Sequence, residues 1–138
     1  MFEALLDPTK KIKANDTVIF TTSTGAVIVG TYFGTTDSKI IVKYPALIQS
    51  RSQMKDGKSV MNLFFSLLLP DSTCSYRARY GIFEESSIVT IETPTDDIKA
   101  SHADFCDKVN GNIFDLTMGK EMMEQQDEYY FKLLTDGL

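Results

Sequence analysis

The sequence predicts a mainly β protein: a small five-stranded bent barrel, with a short helix before it and two helices after it. Two observations carry this. From Thr17 to Ile91, short runs of β-branched and aromatic residues alternate with Gly-, Asp- and Ser-rich turns, the pattern of a meander of short strands. Beyond Pro94 the apolar residues return at helical spacing instead. A closed barrel suits short strands because closure removes most of their exposed edges. The expected division is a barrel with its N-terminal helix over 1–94 and an acidic helical extension over 95–138. A chain of 138 residues is long enough for one domain with its own core and such an extension.

In chain order, MFEALL places Phe2, Leu5 and Leu6 on one helical side, and Asp7-Pro8 stops that turn. TVIFTT is the first strand, and Ser23-Thr24-Gly25 turns into AVIVGTYFG, the second. Gly30 inside it marks a sharp bend. Gly34 to Ser38 is read as the next turn and KIIVKY as the third strand. Pro45 and ALIQSRSQ read either as an irregular edge or as a bent continuation of that strand. Asp56-Gly57 is a hairpin tip. VMNLFFSLLL is nearly continuous in apolar residues, so it reads as a fourth strand covered on both faces, although a buried helix fits its length too. RARYGIF adds a short strand, and SSIVTIE is the last. Thr95 is the expected N-cap of the first C-terminal helix, with Asp96 and Asp97 at the positive end of its dipole. Ile98, Phe105, Cys106 and Val109 share one side of it. A second helix runs from about Met118 to Leu134, with Met118, Met122, Tyr129, Tyr130, Leu133 and Leu134 as its apolar face.

Composition excludes several classes. No apolar run approaches the roughly 20 residues of a membrane span, and MFEALL does not have the form of a signal peptide. A cytoplasmic location is therefore expected. Cys74 and Cys106 lie far apart without CxxC spacing, which leaves two reduced thiols as the main reading and a disulfide as the alternative. With a single histidine, no metal site and no cofactor are expected. The net charge of −5 argues against indiscriminate nucleic-acid binding. It is unevenly divided. Residues 1–83 carry ten Lys/Arg against six Asp/Glu, a net of +4, and residues 84–138 carry four Lys against thirteen Asp/Glu, a net of −9. A basic surface on the first part stays open beside the plainer reading of a mixed, solvated surface.

The stretch from Val18 to Val42, with Gly25, Gly30 and Asp37 in their places, resembles the first signature of Sm-like proteins, and Ser86 to Ile91 resembles the last strand of that SH3-like fold. The layout is most similar to small phage-encoded Sm-like proteins, in which a long apolar strand ends in proline and an acidic helix follows the barrel. The resemblance covers residues 1–110. It implies a cyclic homo-oligomer of about five to seven subunits, each contact joining the fourth strand of one copy to the last strand of the next. Leu67, Leu69, Ile88 and Ile91 are the expected interface residues. The alternative is a monomer whose helices cover that edge. The family's base-contacting asparagine is replaced by Ile40 or Ile41, and Glu84-Glu85 stands where an Arg-Gly pair is usual. The usual RNA pocket is thus expected to be absent, since carboxylates oppose phosphate.

A non-standard RNA face is the remaining nucleic-acid expectation. Asp37, Ser38, Lys39, Tyr44, Arg77 and Arg79 are its candidates, because cations interleaved with aromatic rings grip single-stranded RNA. The rival expectation is a protein–protein interaction module with no nucleic-acid ligand, its acidic C-terminal region meeting a basic partner. No enzyme is expected. His102 and Cys106 sit four apart on a helix, but nucleophilic catalysis also needs an orienting group and an oxyanion site, which the sequence does not supply. Glu84/Glu85, Asp96/Asp97 and Asp127/Glu128 do not form an acid–base dyad by spacing.

Overall fold

The computed structural model describes residues 12–67, 79–110 and 119–136. The expected N-terminal helix, Leu69, Cys74 and Arg77 lie outside them. Six strands form one antiparallel sheet: β1 (Thr17–Thr22), β2 (Val27–Thr36), β3 (Lys39–Lys55), β4 (Lys58–Leu67), β5 (Tyr80–Glu84) and β6 (Ile88–Glu92). A 3-10 turn, Glu85–Ser87, joins the last two. Helices α1 (Asp96–Val109) and α2 (Gly119–Asp136) follow.

The strand order is β4-β3-β2-β1-β6, with β5 also on β3. β3 is long enough to hold two partners in tandem on one edge. Its first residues pair with β5, Lys39 opposite Glu84 through Lys43 opposite Tyr80, and the rest pair with β4, Ala46 opposite Leu67 through Lys55 opposite Lys58. What reads as one apolar fourth strand is therefore the outer half of this arrangement, and the short RARYGIF strand is the inner half. The expected closure is not made by backbone pairing. β5 and β6 are neighbours in sequence, yet no ladder joins them among the described residues. Side chains bridge the gap instead, with the rings of Phe20 on β1 and Phe83 on β5 edge-to-face at 5.1 Å.

The bend in β3 sits at Tyr44-Pro45. Four residues of β3 (Lys43 to Ala46) oppose three of β2 (Thr31 to Val29), a bulge of one residue. Tyr44 takes φ +53° there, a left-handed conformation unusual for a bulky side chain. The bulge also frees Pro45 from donating to the ladder. Gly30 lies opposite, where a Cβ would come within 2.2 Å of Val42 Cγ1 and 3.3 Å of the Lys43 carbonyl. The predicted bend is thus a close approach of two strands that only glycine allows. Gly34 is a correction: it lies inside β2, not in a turn, and a Cβ there would meet Leu134 of α2 at 2.6 Å. The turn itself is Asp37-Ser38, both at positive φ (48° and 62°), as two-residue hairpins require. Asp56-Gly57 forms the predicted tip in the same way.

The main core is Val18, Phe20, Ile28, Ile40, Val42, Ile88 and Ile91. The apolar residues at the Ile40 and Ile41 positions are fully buried, as β-branched side chains in a sheet interior should be. A second, smaller cluster joins Tyr44 and Val109 with Phe105, Cys106 and Met123, and it fastens both helices to the bend of β3. The expected covering of β4 on both faces is not found within one chain: Met61 is 68% and Leu63 51% exposed. Beyond Leu47, β3 and β4 pair only with each other among the described residues, so an apolar run that reads as buried projects as a two-stranded ribbon.

Candidate functional site

The polar residues of the chain converge where the two helices cross the bend of β3. Arg79, just before β5, is 3% exposed. Its Nη2 donates to Asp127 Oδ1 at 2.6 Å and to the Met123 carbonyl at 2.7 Å, and its Nε donates to Gln126 Oε1 at 3.2 Å. Tyr80 donates its hydroxyl to the same Asp127 oxygen at 2.5 Å, and its ring stacks on Tyr130 at 4.3 Å. Burial first, and Asp127 second, push the Tyr80 phenol well above its ordinary range. Lys43 lies 4.0 Å from the same carboxylate. A buried guanidinium must be paired and fully hydrogen-bonded to be tolerated; one face of α2 supplies most of those partners, and the Tyr44 hydroxyl on β3 accepts from Nη1 at 3.4 Å.

Tyr44 is the second hub. Its hydroxyl donates to Asn110 Oδ1 at 2.8 Å, and its carbonyl accepts from His102 Nε2 at 2.9 Å. His102 is 2% exposed, and burial lowers its pKa below the usual 6.5, with the bond to Tyr44 opposing the shift in part. The ring is therefore neutral near pH 7, with its proton on Nε2. Cys106 Sγ lies 3.8 Å from Nδ1 and 3.7 Å from Nε2 of His102. Near-equal distances do not align the sulfur with either nitrogen's lone pair. Burial, with the Asp107 charge adding to it, raises the thiol to about 11. Cys106 is a free, protonated thiol at neutral pH, and a thiol in that state is a poor nucleophile. His102 serves as an anchor of α1 on the strand bend. Among the described residues, no group of three or more His, Cys, Asp or Glu side chains is placed to hold a metal ion.

The expected RNA face is divided. Asp37 and Ser38 are exposed at their turn, and Lys39 stands beside Glu84 at 3.9 Å. Tyr44 and Arg79 are a correction: both are buried under the helices and engaged with them, so neither side chain forms a surface with the turn. Of the expected interface residues, Leu67 pairs its backbone with Ala46, while Ile88 and Ile91 point into the chain's own core. What β6 presents outward is Val89, 55% exposed, and β5 presents Ile82.

Gln126 is the site residue that sequence reasoning missed. Taking only apolar residues as the inner face placed Met122 and Tyr129 inward, yet both are exposed. The face turned to the sheet contains Met123, Gln126, Asp127, Tyr130 and Leu134, offset by about one position. The i, i+3, i+4 spacing of Met123, Gln126 and Asp127 was present in the sequence, but only the buried Arg79 makes a polar stripe the inner one. No family model matches the chain, and no curated protein matches it. Among the described residues, no helix is long and apolar enough to cross a membrane.

Proposed function

We propose that the chain is a ring-forming, Sm-like scaffold or adaptor. The observation that carries this reading is a single sheet whose two ends are both unpaired among the described residues, β6 at one end and β4 with β5 at the other. Val89, Ile82 and, on β4, Val60, Met61, Leu63 and Phe64 are exposed along these ends. Such ends pair or aggregate. Joining one end to the opposite end of the next copy is a head-to-tail contact that closes by rotation into a ring. In this reading RNA contact through a non-standard surface falls to the turn Asp37-Ser38-Lys39.

One observation favours the rival, an interaction module without nucleic acid. Tyr44 and Arg79, two of the six RNA candidates, already serve the chain's own helices. Native mass spectrometry of protein purified without nuclease separates the readings. A discrete multiple of 15.5 kDa is expected for the ring. Added nucleotide mass supports the RNA-binding form, and a bare ring supports a pure scaffold. A 15.5 kDa monomer overturns the ring and leaves the interaction module.

A further inference from the structure

The pairing of β3 with β4 sorts the projecting ribbon into two faces. Residues directly opposite share a face, and alternate residues along a strand do too. Gln49, Arg51, Gln53 and Lys55 on β3 therefore lie with Lys58, Val60, Asn62 and Phe64 on β4. Met54, Met61 and Leu63 lie on the other side with three serines. One face is thus basic and rich in amides, and the other is uncharged, half apolar and half serine. Two contacts agree with the sorting: Asn62 Nδ2 donates to Gln53 Oε1 at 3.0 Å, and the Arg51 guanidinium lies 5.3 Å from the centre of the Phe64 ring.

Near the base of this face α1 brings Asp97 and Asp104 to a cleft lined also by Phe64, but the cations farther out are not paired. Among the described residues, Arg51, Lys55 and Lys58 take part in no ion pair. The only acid between residues 49 and 64 is Asp56, at the tip. Lys55 and Lys58 stand directly opposite each other, an arrangement that destabilises a strand pair unless an anion lies over it. Acidic residues are concentrated in the last part of the chain instead.

We infer that the β3–β4 ribbon is a nucleic-acid arm, its basic, amide-rich face fitted to the major groove of a duplex. A two-stranded β-ribbon is one of the two elements that groove admits. The seven residue pairs from Gln49–Phe64 to Lys55–Lys58 extend about 20 Å. Arg51, Gln49, Gln53 and Asn62 are the side-chain types whose donors and acceptors match guanine and adenine edges, and Lys55 and Lys58 reach phosphates. A single strand needs open aromatic platforms for its bases. This face has one aromatic ring, Phe64, and it already lies under Arg51.

The test uses the full-length protein and a fluorescently labelled, mixed-sequence DNA duplex two helical turns long, read by anisotropy at low and at physiological salt. Binding that weakens steeply with salt is expected. The R51Q/K58Q variant should weaken it roughly tenfold or more and flatten the salt slope by roughly one, because of the two only Lys58 reaches a phosphate, whereas K132Q on α2 should leave it unchanged. The inference is overturned if the duplex does not bind at low salt, or if K132Q costs as much as R51Q/K58Q. Tighter binding of the corresponding single strand, or of phosphatidylserine vesicles, overturns it as well. Native mass of R51Q/K58Q stays at the wild-type value, so failure of the arm is distinguishable from failure of the ring.

Discussion

Asp127 and Arg79 show how one residue pair holds a helix on a sheet. The guanidinium is buried while the carboxylate is partly open to solvent, so removing the acid leaves the more costly partner stranded. Asp127→Asn keeps an acceptor for Tyr80 and removes the charge. It should lower unfolding free energy by about 2 kcal/mol, measured by urea denaturation. The Tyr80 phenol should also titrate at lower pH, seen by ultraviolet titration, because one cause of its upward shift is gone. His102 predicts a pH effect of definite sign. Its folded pKa lies below 6.5, so on acidification the unfolded chain takes up the proton first. Stability contributed by neutral His102 is present above about 6.5 and is lost as pH falls from there toward the folded value. The melting temperature should fall between about pH 7 and pH 5, and His102→Gln should reduce that dependence. An equal slope in the variant would assign the effect to carboxylates.

Among the elements, α2 gives the sharpest comparison. Met123 and Tyr130 face the sheet, while their sequence neighbours Met122 and Tyr129 are exposed. Met123→Ala and Tyr130→Ala should each cost about 2 kcal/mol, with Met122→Ala and Tyr129→Ala within about 0.5 kcal/mol of wild type. Chemical denaturation of the four variants decides which face docks. Strand and helix existence was legible in the sequence, because period-two and helical spacings are local properties. The face of α2 was not, because its inner stripe carries Gln126 and Asp127, and those are inward only for a helix that must satisfy Arg79. The apolar run was legible as a strand over Val60 to Ser66, beside the alternative of a buried helix. Its exposure was not, since periodicity reports apolar content and not what lies opposite.

For the whole molecule, the open sheet sets the expectation. In the ring reading, Val89 of β6 meets the neighbouring copy without serving its own core. Val89→Asp should therefore reduce native mass to 15.5 kDa while the far-ultraviolet circular dichroism stays unchanged. Ile88 and Ile91 are unsuited to this test, because charging either would unfold the core they fill. A wild-type mass already at 15.5 kDa would remove the head-to-tail assembly.

By itself the sequence determined the β meander, the hairpin tip at Asp56-Gly57 and the two acidic helices. Each depends on backbone preferences and on the spacing of residues near in sequence. Tertiary structure alone decided that Tyr44 and Arg79 are anchors inside the molecule. It also decided that β3 carries two partners end to end, and that its outer part pairs, among the described residues, with β4 alone as a ribbon with one basic face. These depend on which distant residues meet, and in this chain they meet around a buried cation whose partners lie 35 to 48 residues away.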